Sequence, residues 1–380
     1  MKLSHRALSF ICALLIIWLT LPLRASAARQ SALYVSAKSA ILIDASDGSV
    51  LYEKNGRERM GMASTTKIMT ALVICELLPL DKTVSIPAEA VNTEGSSVYL
   101  VAGELLSVKE LLYALLLASA NDAAVALAIA ASGSIENFAK EMNERAKELG
   151  LRDSNFTNPH GLYDENHYTT AYDLALITRA ALQEPTLREI VSTKKATIPQ
   201  GVTPDNAEGD SKRYLYNHNK MLHLYEGAIG VKTGFTKKTG RCLVSAAERD
   251  GLTLVAVTLS ASDDWNDHSA MLDYGYSLYE RVTLFDIGEF TFSYAVSGGN
   301  EGYVTLANSS PIILTLPKER QRAECSVLSN QHFEFAPITQ GDILATLKVT
   351  ASQKSACSPL IATHRVEAKT KSKKEHIWTP

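Results

Sequence analysis

Residues 63–71 read ASTTKIMTA and open an apolar run that includes Ile68, Met69 and Ala71 and continues through Leu72, Val73, Ile74, Leu77 and Leu78. A helix over this stretch is apolar on nearly every side, so it belongs at the centre of its domain. Two polar groups stand at its head. Ser64 and Lys67 are three positions apart, which brings both onto one helical face. An ammonium at the edge of such a core is costly unless it is paired or deprotonated. At a helix start, Ser64 also meets free N–H groups and the positive end of the dipole, where developing negative charge is favoured. A lysine titrates ordinarily at about 10.4 and is lowered by burial or a neighbouring cation. Once neutral, its amine can take a serine proton. Read alone, however, the pair describes equally well an N-cap serine followed by a lysine reaching for solvent.

Two further patterns bear on that choice. Ser119-Ala120-Asn121 interrupts two helical patterns, SVKELLYALLLAS and DAAVALAIAAS, and so can present a hydroxyl and an amide into a cleft. Lys232-Thr233-Gly234 continues a strand pattern, and its glycine lets another backbone approach the strand edge. The same triplet recurs as Lys238-Thr239-Gly240, in a polar stretch between two apolar strand runs, and there it reads as a turn.

Ser-x-x-Lys, Ser-x-Asn and Lys-Thr-Gly in this chain order resemble the motif set of the penicillin-binding and serine β-lactamase superfamily. The middle element stands here as Ser-Ala-Asn, which keeps the hydroxyl and the amide. A closer resemblance, over roughly residues 35–366, is to secreted serine-type D-Ala-D-Ala carboxypeptidases of the low-molecular-mass class. It extends to EGSSVYL at 94–100, NPHGL at 158–162 and GVKTGFT at 230–236, and the last of these points to the first Lys-Thr-Gly copy.

That resemblance implies an α+β fold, a β-lactamase/transpeptidase-like catalytic domain followed by a small all-β domain. It implies acyl transfer with Ser64, Lys67, Ser119 and Asn121 in catalysis and Lys232, Thr233, Gly234 and Phe235 on the substrate. The backbone N–H groups of Ser64 and Phe235 would form the oxyanion hole. The implied partner is a peptidoglycan stem peptide ending in D-Ala-D-Ala, with β-lactams as covalent inhibitors and neither metal nor organic cofactor. His218 falls near where some relatives carry a basic group that helps hold the substrate carboxylate. Two other readings accompany this one. A serine β-lactamase is disfavoured by the added β-rich segment and by the lack of a counterpart of the deacylating glutamate. A wall-binding protein without turnover is disfavoured by three intact motifs.

The rest of the chain sets bounds on these readings. With 380 residues, 46% hydrophobic and 21% charged, it is long enough for about two domains. Lys2 and Arg6 precede the apolar ALSFICALLIIWLTLPL, and small residues ending ASAA follow, the layout of a secretory leader cleaved after Ala27. Its removal takes Lys2, Arg6 and Arg24 away and moves the formal charge from −3 to −6. A mildly acidic protein lacks the basic footprint of a nucleic-acid binder.

Cys75, Cys242, Cys325 and Cys357 remain, with no Cys-x-x-Cys and no Cys/His cluster, so structural zinc is not expected. Cys75 and Cys242 read as buried thiols. Cys325 and Cys357 could bridge only if their Cβ atoms approach. His160 and His167 also lack metal spacing and read as surface or hydrogen-bonded residues, while Asp164 and Glu165 read as an acidic turn.

Periodicity then divides the chain. Two β-branched runs flank Asp47-Gly48 as a hairpin. A helical middle follows, with Gly150 ending IENFAKEMNERAKELGL and a further helix at TTAYDLALITRAAL. GAIGVKTGF, GRCLVSAAE and GLTLVAVTLS are successive strands, and DWNDHSAMLDYGYSLYERV reads as a closing helix. This order suits one antiparallel sheet under helical cover, its strands drawn from both ends of residues 28–283. From 284 to 366 short strands recur at turn-separated intervals with no helical pattern between them, the mark of a small all-β domain. The tail, 367–380, is basic and polar. Lys369, Lys371, Lys373, Lys374 and Trp378 supply at most weak contact with an anionic membrane surface.

Overall fold

The computed structural model describes residues 33–202, 211–319 and 322–370. The leader assigned to residues 1–27 and the tail from 371 lie outside the described residues. The chain folds as α+β, a helix-covered antiparallel sheet with a separate all-β part after it.

The hairpin at Asp47-Gly48 forms as expected, joining β1 (Ser39–Asp44) to β2 (Val50–Lys54). Gly48 takes φ +78° at the turn, a conformation open to a residue without Cβ. The apolar helix runs from Lys67 to Leu77, with every residue from Lys67 to Ile74 buried. Its first turn differs from the expectation, because Ala63–Thr66 is 3₁₀ rather than α.

A short ladder of β3 (Thr83–Ser85) and β4 (Leu105–Ser107) leads into helix Val108–Leu117. Ser107 and Glu110 start that helix with a reciprocal capping box. Helix Asn121–Ser132 follows after three residues, then Ile135–Glu148, whose chain turns at Gly150 with φ +73°. Helices Ala171–Gln183 and Pro185–Ser192 precede a second small ladder, β5 (Lys195–Gln200) with β6 (Ser211–Tyr216). After the single helical turn Met221–Leu224 come β7 (Ala228–Thr236), β8 (Gly240–Arg249) and β9 (Leu252–Ala261).

These three strands and the opening hairpin form one antiparallel sheet in the order β2-β1-β9-β8-β7. The pairing of β1 with β9, with Ile41 opposite Val257, closes the domain across more than two hundred residues. Ile41, Ile43, Val244, Val255 and Val257 face the core built by the middle helices. Leu42 and Leu254 point the other way, onto helix Asp264–Leu278, where a Cβ on Gly275 would strike both. Helices thus cover both faces, which explains why β8 and β9 read as continuous apolar runs rather than alternating ones.

The sequence pattern carried the last helix to Val282, but it stops at Leu278. Tyr279–Phe285 is instead a strand, β10. Its aromatic and β-branched residues suit a sheet surface, and it pairs with β13 (Ile312–Pro317), so the junction drawn at 283/284 falls inside β10. The remaining strands are β11 (Thr291–Ser297), β12 (Tyr303–Asn308), β14 (Glu324–Leu328), β15 (Phe333–Phe335), β16 (Ile343–Ala351) and β17 (Lys354–Ala362). They make a six-stranded sheet, β14-β16-β17-β12-β11-β15. Tyr294, Val304, Leu306, Leu347, Val349 and Leu360 are prominent in its core.

Cys325 and Cys357 are both free. Cys325 lies opposite Val349 and Cys357 opposite Lys348, so the two thiols stand on opposite faces of the sheet.

Candidate active site

The 3₁₀ turn at Ala63–Thr66 is held by its own hydroxyls: Thr65 Oγ1 donates to Met62 O at 2.6 Å and Thr66 Oγ1 to Ala63 O at 2.7 Å. A 3₁₀ turn has three residues per turn, so side chains at i and i+3 stand in line. Ser64 and Lys67 are such a pair, and Lys67 Nζ lies 2.9 Å from Ser64 Oγ. Ser64 is half-buried at the cleft surface, whereas Lys67 is 0% exposed.

The Lys67 amine also reaches Asn121 Oδ1 and the backbone carbonyl of His160, both at 2.7 Å. Burial, and after it the positive Lys232, holds Lys67 well below the ordinary lysine range, while Asp122 works in the opposite sense. An amine in this position is a proton acceptor adjoining a hydroxyl.

Asn121 begins its helix at the break in the middle helices. Its backbone N–H donates to Ser96 O at 2.7 Å, and its amide nitrogen donates to Glu94 O. The amide is therefore oriented with oxygen towards Lys67. Residues 94–100, EGSSVYL, form the loop that holds it. Gly95 has φ +93°, and a Cβ there would come to 2.7 Å from Asn121 Nδ2. The loop is tied in turn by the Asp122 carboxylate, which accepts from Ser97 Oγ at 2.6 Å and from the N–H groups of Val98 and Leu100. Ser119 sits just before this helix with φ +61° and lines the same cleft as Ser64.

The loop NPHGL, 158–162, closes the site from the other side. Thr70 Oγ1 donates to Pro159 O at 2.6 Å, next to the His160 carbonyl that meets Lys67. The His160 ring accepts from Leu162 N and is held near pKa 3, by burial first and then by Lys67. His167 bridges Thr66 Oγ1 and the Thr157 N–H. Both histidines are hydrogen-bonded scaffold residues. Asp164 closes the acidic turn, accepting from Asn166 N at 2.7 Å.

β7 is the edge strand of its sheet and carries the last motif. Gly234 brings it against the serine turn, where a Cβ would lie 3.0 Å from Ser64 N and 3.1 Å from Met62 O. Lys232 is 1% exposed; its Nζ donates to Thr233 O, and burial brings its pKa down to about 7. Thr233, Gly234 and Phe235 line the cleft with Ser64 and Ser119. Lys238-Thr239-Gly240, by contrast, forms the turn into β8. Thr239 Oγ1 lies 2.9 Å from Thr236 Oγ1, and the Lys238 amine stands over the Tyr163 ring at 3.8 Å.

Ser64, Lys67 and Asn121 are thus joined by hydrogen bonds, with Ser119, Thr233, Gly234 and Phe235 around one cleft of about 540 Å³ and Lys232 buried behind it. His218 is also on the cleft wall. Sequence reasoning did not single out Ser96, Arg241, Asp264 or Trp265, which line it too. Nor did it foresee the Glu94 and His160 carbonyls, which act through backbone atoms that no residue type announces.

A family model described as D-alanyl-D-alanine carboxypeptidase matches residues 25–263. The chain is 37% identical over 328 residues to D-alanyl-D-alanine carboxypeptidase DacF of Bacillus subtilis, covering 84% of this chain and 82% of that one. It is 32% identical over 350 residues to DacC of Escherichia coli, with 88% and 85% covered. Among solved structures, penicillin binding protein 5 from Haemophilus influenzae superposes with a TM-score of 0.71 at 26% identity, covering 88% of this chain and 98% of that chain.

Proposed function

The chain belongs to the D-alanyl-D-alanine carboxypeptidase family of serine peptidases, and from that premise we propose that it removes the terminal D-alanine of peptidoglycan stem pentapeptides through an acyl-enzyme on Ser64. The observation that carries this reading is the Lys67 amine, fully buried, held below its ordinary pKa and 2.9 Å from Ser64 Oγ.

Lys67 in its neutral form takes the Ser64 proton as the oxygen attacks the carbonyl between the two D-alanines. The tetrahedral oxyanion is met by the backbone N–H groups of Ser64 and Phe235, a pairing supported by the close approach of Gly234 to Ser64 N. Ser119 relays the proton taken up by Lys67 to the departing amine, which returns Lys67 to its neutral form, and Asn121 holds both the substrate amide and the lysine. Lys232 and Thr233 bind the terminal carboxylate. Water then releases the shortened peptide, and Lys67 serves as base a second time.

Peptidoglycan lies outside the cytoplasm, so the action is extracytoplasmic, with residues 1–27 as the secretory leader and 28–283 as the catalytic part. A β-lactam enters the same pathway, acylates Ser64 and leaves slowly. Contact of the basic tail with an anionic membrane surface is at most weak.

Incubation of the protein with a stem pentapeptide and with the matching tetrapeptide tests this reading. D-alanine release from the pentapeptide alone is the expected result; release from neither sinks it. A penicilloyl adduct on Ser64 that persists for many turnover times separates the carboxypeptidase from a β-lactamase, whose adduct would vanish at once.

A further inference from the structure

The cleft extends past the reactive serine, and its far wall differs in chemistry from the near one. If the terminal carboxylate sits at Lys232 and Thr233 and the scissile carbonyl at Ser64 and the Phe235 N–H, the acyl side of the peptide leaves the site past Phe235. Arg241 is the cross-strand partner of Phe235, and it lines the cleft together with Asp264 and Trp265 at the start of helix Asp264–Leu278.

Arg241 Nη2 donates to Asp264 Oδ1, and the guanidinium carbon lies 5.9 Å from the Trp265 ring centre. The Asp264 side chain is only 5% exposed, whereas that of Arg241 is 45% exposed. The carboxylate therefore fixes one edge of the guanidinium while other N–H groups of the planar fork stay open to the cleft. Phe235, 65% exposed and across the ladder from Arg241, and the Trp265 ring add apolar surface to the same cleft. A guanidinium fixed on one edge and flanked by apolar surface suits a methylene chain that ends in charge: the open fork takes a carboxylate in bidentate fashion, and the remaining Asp264 oxygen offsets the repulsion between Arg241 and an ammonium carried on the same chain.

We propose that Arg241, Asp264, Trp265 and Phe235 form a subsite for the stem-peptide side chain on the acyl side of the scissile bond, and that it selects a side chain ending in both an ammonium and a carboxylate. The proposal rests on the carboxypeptidase reading and on the direction of the substrate along β7.

Three pentapeptides test it. They are identical except for the third side chain, which ends in ammonium plus carboxylate, in ammonium plus carboxamide, or in ammonium alone. The expected kcat/KM for the first exceeds that for the other two by about tenfold or more, the worth of one charge-assisted bidentate contact. In Arg241→Gln that ratio collapses towards one. In Arg241→Lys, which keeps the charge beside Asp264 but not the fork, it falls part of the way. Equal rates for all three peptides in the wild type overturn the proposal. So does an Arg241→Gln variant that loses the same factor on every peptide, which would put Arg241 on the common terminal carboxylate. Release of D-alanine from none of them overturns the catalytic reading and this one with it, whereas release without discrimination removes the subsite alone.

Discussion

Gly161 packs so tightly beneath Ala63 that a Cβ at position 161 would come to 2.0 Å from the Ala63 carbonyl oxygen, and its backbone holds φ +87°. The contact joins NPHGL to the turn that bears Ser64, and the neighbouring His160 carbonyl holds Lys67.

Gly161→Ala must therefore shift one of these two loops. The positive φ costs about 1–2 kcal/mol and the overlap about 1–3 kcal/mol more. We expect a thermal midpoint lower by several degrees and a rate of Ser64 acylation by labelled penicillin reduced at least tenfold. Gly133→Ala is the control, since Gly133 has φ +78° with open space around the Cβ position. It should lose about 1–2 kcal/mol and no acylation rate. An unaltered midpoint in Gly161→Ala would show that the loops do not bear on one another.

On the proposed mechanism the acidic limb of the acylation profile reports the fraction of Lys67 that is neutral, so the rate is expected to rise with pH through its depressed pKa. Lys232 depresses that pKa as a like charge. Lys232→Gln removes the repulsion, the Lys67 pKa rises, and the limb moves to higher pH. A pH series of acylation rates checks it, and a limb that stays in place or moves lower counts against the pairing. Lys238→Ala, at the turn, should leave both limb and rate within about twofold, because removal of a surface charge away from reacting groups changes little.

Asp122 acts in the opposite sense on the same amine and also ties the loop that orients Asn121. Asp122→Asn should move the acidic limb to lower pH. With fewer acceptors for the Val98 and Leu100 N–H groups, it should also lower kcat/KM about tenfold, in line with a loss of ~1–2 kcal/mol of buried hydrogen bonding. Acylation measured across the pH range separates the two effects, since loss of loop order alone lowers the rate without moving the limb.

Burial holds His268 near pKa 3, and its Nε2 meets Thr258 Oγ1 at 2.9 Å. Among the described residues its Nδ1 has no partner. A histidine that is neutral in the fold and titrates near 6.5 when unfolded gives stability that is present above about pH 6.5. That stability is lost as pH falls from there towards 3. His160 and His167, held near 3 and 4, add to the same window. His268→Gln should melt lower at pH 7.5 but decline less steeply between pH 6.5 and 4.5. Parallel melting curves for the two proteins would exclude His268 as a source of the acid slope.

Local pattern carried much of this molecule. The apolar run after Lys67 specified a central helix, Gly150 and Gly48 marked their turns, and short apolar runs at turn-separated intervals set the β-rich region apart from the helical one. Periodicity failed at residues 279–282, read as the end of the last helix, which instead open β10 and pair in a ladder with β13. It also missed β14, which is short and mostly exposed, and β17, whose polar first half precedes the buried Leu360 and Ala362.

Within the site, sequence by itself determined the types and the chain order of the chemical groups, because a hydroxyl, an amine or an absent Cβ is a property of one residue. The tertiary structure alone decided which groups meet. The Glu94 and His160 carbonyls on Asn121 and Lys67, the approach of Gly234 to Ser64 and the pairing of Arg241 with Asp264 all join segments far apart in the chain. Every residue but proline carries the same backbone donor and acceptor. Which of them reaches a side chain depends on long-range sheet and loop closure, such as β1 on β9, and that closure is a property of the packed whole.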